Sequence, residues 1–382
     1  MPEPLATRLV RLRAELAKRR LDGLIIGRED MFQGEEVPPG DERLAYISGF
    51  TGSAGFALIT ANAAVLFSDG RYSLQMVSQT DPADWQCHTV PQYSLNDYLE
   101  QNPQDGLTIG IDPWLVTMTG YERYADSMNK AGGQLTGIDT NPVDAIWHDQ
   151  PALPAPFAWR MDDAVAGQSV ADKLQVLADG LRQQNLRAVL LSRVDAVNWL
   201  VNMRGSDLPF TPVNLCFAFF DCDYGLTLLG DEGRLAPVMD QDIAVRPLAK
   251  LTDLLALCGS DAVLVEPASL SQAMSFEIAA SGVKMVEGDC PVTPIKARKN
   301  QVEISGFQRA HHHDGVAMVK FLHWLSSINP ASYTESQIAT RIEQFRSQQP
   351  EYLLPSFSTI AAAGPNGAIV HYHAVTGQDR TL

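Results

Sequence analysis

The densest grouping of chemically capable side chains lies near the end of the chain. His371-Tyr372-His373 follows Ser356-Phe357-Ser358-Thr359-Ile360 and the turn sequence Gly364-Pro365-Asn366-Gly367. With a period of two, Ile369, His371 and His373 face one way and Val370 and Tyr372 the other. Imidazoles at i and i+2 of a strand can both reach one ion. Two ligands make an incomplete metal site, however, and no carboxylate cluster is near in sequence. His311-His312-His313 is a weaker candidate. It reads as helix, where successive side chains point about 100° apart, so the three do not converge on one ion, and His311 is expected to face the core. Asp69-Gly70-Arg71-Tyr72 is a turn carrying an arginine, by itself a surface or turn residue. Gly49, Gly52 and Gly55 lack both the G-x-G-x-x-G spacing and the Gly-Lys-Ser/Thr of a P-loop. They read as tight-turn packing between two strands. The chain holds no His-Glu-x-x-His and no Gly-x-Ser-x-Gly.

The elements that position these residues fall into a repeated pattern. Leu5, Leu9, Leu12 and Leu16 recur at helical spacing with Arg and Lys opposite. Asp22-Gly23 ends that helix, and Leu24-Ile25-Ile26 reads as a buried strand. The same grammar returns where Ser169-x-x-Asp172 caps a helix with Leu174, Leu177 and Leu181 on one face, followed by a strand at Arg187–Leu191. Leu21–Ile26 lies over Leu186–Leu191 without gaps, and Leu44–Gly49 corresponds loosely to Val197–Asn202. The pattern implies two copies of one α/β unit of about 150 residues. Three prolines in Gln150–Pro156 form a stiff linker between them. A second boundary falls near Pro291–Pro294.

From Gln301 a long helix is expected, with Ile304, Phe307, His311, Met318, Leu322 and Leu325 on one face, ending at Asn329-Pro330. Thr334-x-x-Gln337 caps the next helix, which carries Ile338, Ile342 and Phe345. Residues 356–363 and 368–373 are expected to be strands joined as a hairpin by Gly364–Gly367. Phe307, Met318, Leu322, Leu325, Ile338 and Ile342 are expected to lack much of their cover, leaving 296–382 loosely packed.

Bulk properties narrow the classes of partner. With 29 basic and 45 acidic residues the net charge is -16, so there is no basic footprint for nucleic acid or anionic lipid. The apolar fraction of 45% is that of an ordinary globular protein. Five scattered cysteines without a C-x-x-C fit a reducing cytosol better than a disulfide framework. No apolar h-region follows the N-terminus, and no run approaches the roughly 18–20 residues of a membrane span.

Taken in order, Leu44–Gly55, Ser68–Tyr72, Ala145–Trp147, Val197–Asp207, Ser356–Ile360 and Gly364–Tyr372 resemble three-domain cytosolic aminopeptidase P. These are pita-bread metallopeptidases that remove an N-terminal residue ahead of proline. The resemblance covers essentially the whole chain. It implies two tandem creatinase-N-terminal-like α/β domains, each a mixed sheet with helices, at 1–150 and 156–295. An incomplete α+β pita-bread domain follows at 296–382. It further implies a cytoplasmic enzyme acting on proline-containing peptides, in a family where homodimers are an option. Such enzymes hold two divalent ions, usually manganese, on two Asp, one His and two Glu, and use a bridging hydroxide as nucleophile. Arg71 matches a family arginine that contacts substrate. His371 matches a histidine that touches substrate near the metals without binding them. The family's ligand positions fall after His371, where only Asp379 precedes Leu382. No metal is therefore expected on this chain, and the polypeptide as it stands is expected to be inactive. The alternative is a non-catalytic peptide- or protein-binding module, or the product of a truncated gene.

Overall fold

Strands buried on both faces need cover on both sides, and this chain supplies it by alternating them with amphipathic helices. The computed structural model describes residues 3–259 and 261–382. Helix α1 (Leu5–Lys18) buries Leu9, Leu12 and Leu16 and leads into β1 (Gly23–Gly27). Then follow α2 (Arg43–Ser48), β2 (Phe56–Thr60), β3 (Ala64–Asp69), α3 (Ser73–Gln79), β4 (Gln86–Val90), α4 (Leu95–Gln101), β5 (Thr108–Ile111), α5 (Met118–Lys130) and β6 (Gln134–Gly137). One sheet runs β4-β3-β2-β1-β5-β6. Strand β2 is antiparallel to β1 and β3, and the other pairs are parallel. Successive side chains part to opposite faces. Leu24 and Ile26 join α1 and α2, while Ile25, Leu58, Val65 and Phe67 join α4 and α5.

The second unit repeats this plan. It comprises α6 (Val170–Gln183), β7 (Ala188–Leu191), α7 (Val194–Leu200), β8 (Phe217–Asp221), β9 (Gly225–Leu229), β10 (Ile243–Arg246), α8 (Leu251–Leu257), β11 (Val263–Val265), α9 (Gln272–Ser281) and β12 (Met285–Glu287). Its sheet runs β10-β9-β8-β7-β11-β12. Strand β8 is antiparallel to both neighbours and the remaining pairs are parallel. Order and sense match the first sheet strand for strand, so the duplication read from the sequence is present. Helices α2 and α7 hold the two loosely corresponding segments. Gly49 is not between strands, as expected, but at the left-handed C-cap of α2, with φ 80 and its N–H donating to the Ala45 carbonyl.

The two units meet through equivalent positions. Thr117 and Ser271 are the N-caps of α5 and α9 and form an antiparallel bridge. The Met118 N–H donates to the Leu270 carbonyl (3.0 Å) and the Gln272 N–H to the Val116 carbonyl (2.9 Å). This reciprocity makes the contact a local pseudo-two-fold. Met118 is buried in the core of the second unit, where Phe32 also packs on Phe217 with ring centroids 4.7 Å apart.

The third segment begins after α10 (Val292–Ala297) with α11 (Gln301–Ser327). Asn300 and Glu303 form a capping box at its start. Glu303 also accepts from the Trp199 indole (3.0 Å), and Asn300 donates to the Ala166 carbonyl (2.8 Å), fixing α11 on the second unit. Helix α12 (Glu335–Ser347) packs back on α11. Fully buried Ala317 lets it approach, so Ile338 and Ile342 are buried, contrary to expectation. Phe307 and Leu322 are more than half exposed, as expected. His311 is exposed rather than core-facing.

The expected hairpin is absent. Residues 350–382 contain no regular strand, and Gly364–Ala368 is a 3₁₀ turn begun by Pro365. His371 takes φ 54, which breaks an extended run. One backbone N–H of the expected hairpin, that of Ala363, is drawn instead to a carboxylate, described below.

Replacing Met118 by Ala is expected to lower stability by about 2–5 kcal/mol, the usual cost of emptying a buried Met site. It should also separate the urea transitions of the two units. A single unshifted transition would show that the helix-cap contact does not couple them.

Candidate functional site

Three parts of the chain enclose a cavity of about 950 Å³. Its walls include the 28–37 loop after β1 and Tyr72 of the first unit, Arg193 and the 208–215 loop of the second unit, and the C-terminal segment with Ser356, Phe357, His371 and His373. A cleft of this size between units is where a small ligand or peptide is expected to sit.

Tyr72 enters the cleft from the 3₁₀ turn Gly70–Tyr72 that follows β3. It is buried, its hydroxyl lies 2.5 Å from Ser53 Oγ, and its ring meets Phe50 edge-on at 5.8 Å. A Cβ at Gly52 would lie 2.2 Å from the Phe50 ring and 2.8 Å from Tyr72, so this position has no room for a side chain. Gly52 thus serves tight packing, but in the loop between α2 and β2 rather than between two strands.

The structure places both expected site residues near Tyr72 but only His371 on the cleft wall. His371 lines the cleft and stacks on Tyr72, with ring centroids 6.0 Å apart and planes 24° apart. Arg71 is not among the residues lining the cleft but precedes Tyr72, with its guanidinium 5.2 Å from the centre of that ring. Its guanidinium grips Asp69, with Nε 2.9 Å from Oδ1 and Nη2 2.7 Å from Oδ2. Asp69 also caps the turn by accepting the Arg71 N–H. The hydrogen bond from the Arg71 side chain, more than any other cause, holds the Asp69 carboxyl below the usual range, and nearby His371 adds to it. His373 lies 3.1 Å from Ser358 Oγ through Nδ1. Desolvation first, and then its neighbour His371, lower the His373 pKa.

The residue that organises this wall is Glu335, the first residue of α12, which the sequence reading passed over. Its side chain is fully buried. It accepts from the N–H of Ala363 (2.5 Å), the N–H of Arg380 (3.0 Å), Asn366 Nδ2 (3.0 Å) and the Tyr372 hydroxyl (2.8 Å). Tyr372 therefore points away from the cleft while His371 and His373 face it, the alternation expected without the strand. Asp379 adds a second tie, accepting from the Ser336 N–H (2.9 Å). Burial opposes the charge on Glu335, but the hydrogen bonds from Arg380, Ala363, Tyr372 and Asn366 outweigh it and depress the pKa to about 2. Burial and then Glu335 push Tyr372 up to about 12. The one signal in the sequence was an acid in the first turn of a helix, where the capping pattern drew attention to Thr334 and Gln337 instead.

The donor set does not fit a metal centre. Among the described residues no three His, Cys, Asp or Glu side chains meet in a way that could hold an ion. Glu335 is consumed by its own hydrogen bonds, and one nitrogen of His373 by Ser358. All five cysteines are free, and burial pushes the Cys216 thiol up to about 12, so it is inert. No described helix is long and apolar enough to cross a membrane.

Comparison with known proteins adds to this picture. Two descriptions of a creatinase/prolidase N-terminal domain match residues 8–145 and 149–303, and metallopeptidase family M24 matches residues 305–382. A probable Xaa-Pro aminopeptidase P of Aspergillus niger is 33% identical over 389 residues, covering 97% of this chain and 63% of that protein. Its Neurospora crassa counterpart is 34% identical over 394 residues, covering 97% of this chain and 57% of that protein. The crystal structure of X-prolyl aminopeptidase from Caenorhabditis elegans, described as a cytosolic enzyme with a di-nuclear active site, matches with a TM-score of 0.91. Identity is 26%, over all of this chain and 66% of that one. This chain therefore spans less than two thirds of the length of these relatives.

A depressed carboxylate contributes stability that is fully present above its unfolded value, near 4.5, and is lost as pH falls toward its folded value, about 2 for Glu335. Asp379, also depressed, acts in the same direction. Protection of residues 356–382 from proteolysis or hydrogen exchange should therefore fade between about pH 4.5 and 2. Glu335→Gln should show the loss already at pH 7. Equal protection in the variant would contradict the role of Glu335.

Proposed function

This chain belongs to the aminopeptidase P family of M24 metallopeptidases, and from that premise we propose that its cleft receives the N-terminal segment of a proline-containing peptide. Residues 1–150 and 156–295 then form the tandem creatinase-like domains, and 296–382 is the start of the peptidase domain. The observation that carries this reading is the meeting of His371, Tyr72 and the Arg71 turn at one cavity of about 950 Å³.

Each residue has a physical task in this reading. The His371 ring lies offset beside Tyr72, which Ser53 holds, so one imidazole orientation is favoured before a peptide arrives. Such preorganisation lowers the cost of binding. The ring nitrogens remain at its edge to hydrogen-bond a peptide carbonyl. Arg71 commits Nε and Nη2 to Asp69, which meets its charge and leaves Nη1 to donate to a polar group of the peptide beside Tyr72.

The whole enzyme of this family would add a di-metal centre, for which we propose manganese, to activate water and polarise the scissile carbonyl. Since the described residues do not fit that centre, residues 1–382 alone are proposed to bind peptides without cleaving them. The alternative of a non-catalytic binding module shares this behaviour. A cytoplasmic location and a homodimer accompany the enzyme reading, which the five free cysteines suit.

The expected result is no hydrolysis of Ala-Pro-Ala above a metal-free blank when the 382-residue polypeptide is given manganese. Calorimetry should nonetheless detect binding of the peptide. His371→Ala should weaken it by up to about tenfold, the value of one hydrogen bond. Turnover would contradict the missing centre. Absent binding, or unchanged binding by the variant, would contradict the assignment of the cleft.

A further inference from the structure

The charges around the cleft do not balance, and the imbalance points to a ligand. Arg28 is paired with Glu42 at 2.7 Å and donates to the Glu35 carbonyl. Arg193 grips Glu266 at 2.5 and 3.1 Å, and Lys296 neutralises Asp195. Among the described residues these pairs leave the cleft acids Asp30, Glu35 and Glu36 outside any ion pair, with only the more distant charge of Arg71 acting on Glu35. Glu36 accepts only from the neutral Thr211 hydroxyl, at 3.2 Å.

Asp30 is the decisive member. It is 1% exposed, and one oxygen, Oδ1, accepts from the Phe32 and Gly34 N–H groups. The other, Oδ2, is buried without any hydrogen-bond partner, in a residue that lines the cavity. An orphaned buried carboxylate oxygen costs free energy and calls for an explanation. The two amide bonds to Oδ1 lock the side chain, so this cost is fixed by the loop. A cation of the ligand drawn against this wall of the cleft would relieve it through its charge. Burial raises the Asp30 pKa to about 6, consistent with a carboxylate that lacks a counter-charge.

We propose that Asp30, assisted by Glu35 and Glu36, forms a cation subsite that binds an ammonium or guanidinium group of the peptide occupying the cleft. The proposal rests on the peptide-binding reading above and adds a preference to it. The subsite favours peptides that carry a positive charge over neutral ones of equal size. The loop that bears it belongs to the first unit, so that unit takes part in selecting the substrate.

The test compares peptides titrated into the 382-residue protein at pH 7.5 and low salt. Arg-Pro-Ala and Ala-Pro-Arg are set against the same peptides with citrulline, which keeps the shape and removes the charge. Ala-Pro-Ala is set against its N-acetylated form, which isolates the terminal ammonium. At least one neutralisation should weaken binding by about tenfold or more. The arm that does so identifies whether the cation is a side chain or the terminus. Asp30→Asn should abolish the difference. Glu35→Gln and Glu36→Gln, on the loop surface, should each reduce it and keep the test valid if Asp30→Asn fails to fold. If Ala-Pro-Ala binds but no neutralisation matters, or the difference survives in all three variants, the subsite is overturned and the peptide reading stands. If no peptide binds, both are overturned.

Discussion

The buried carboxylate of Glu335 is the constraint on which the cleft depends. Residues 350–382 have no regular strand to hold them, and much of their apolar surface is uncovered, including Phe357, Ile360 and Val370. Four donors converging on one carboxylate replace the missing ladder. Hydrogen bonds to a charged acceptor are stronger than neutral ones, and a fully satisfied buried network specifies one arrangement. Tyr372 is locked behind the segment, which leaves His371 and His373 in front of it. The position of the histidines is thus set from the rear, by a residue that never reaches the cleft.

The duplicated units show how one plan diverges into two roles. Asp112 follows β5 and Glu266 follows β11, at equivalent places. Asn141 Nδ2 donates to Asp112 at 3.0 Å, and the Cys290 N–H donates to Glu266 at 3.3 Å. These partners lie in Asn141-Pro142-Val143 and Cys290-Pro291-Val292, the same short motif. In the second unit Arg193 closes on Glu266 and leaves a cavity of only about 10 Å³. In the first, Arg28 turns instead to Glu42, and about 100 Å³ stays open beside Asp112. The arginine that seals one unit helps shape the cleft loop in the other.

Much of this was legible in the sequence, for physical reasons. The stripe Leu9, Leu12 and Leu16 and its echo at Leu177 and Leu181 gave both helix positions, because burial enforces periodicity. The gapless match of Leu21–Ile26 with Leu186–Leu191 located the paired central strands. Alternation correctly separated His371 and His373 from Tyr372. The hairpin was misread because strand-like composition says nothing about a partner, and the segment is held by a remote carboxylate, through two side chains and the N–H groups of Ala363 and Arg380, rather than by a ladder. Glu335 and Asp30 were missed for a shared reason. Both are acids in polar stretches, and only three-dimensional packing shows that they are buried. The cover over Ile338 and Ile342 was likewise invisible, since it depends on Ala317 being small where two helices cross.

The central claim is that Glu335 presents His371 to a peptide in the cleft. It is tested most directly by the imidazole ¹H–¹⁵N signals of His371 and His373 during titration with Ala-Pro-Ala. The account predicts a saturable shift of the His371 signal in the natural sequence and its loss in Glu335→Gln. The same shift in both proteins, or none in the natural one, would contradict it.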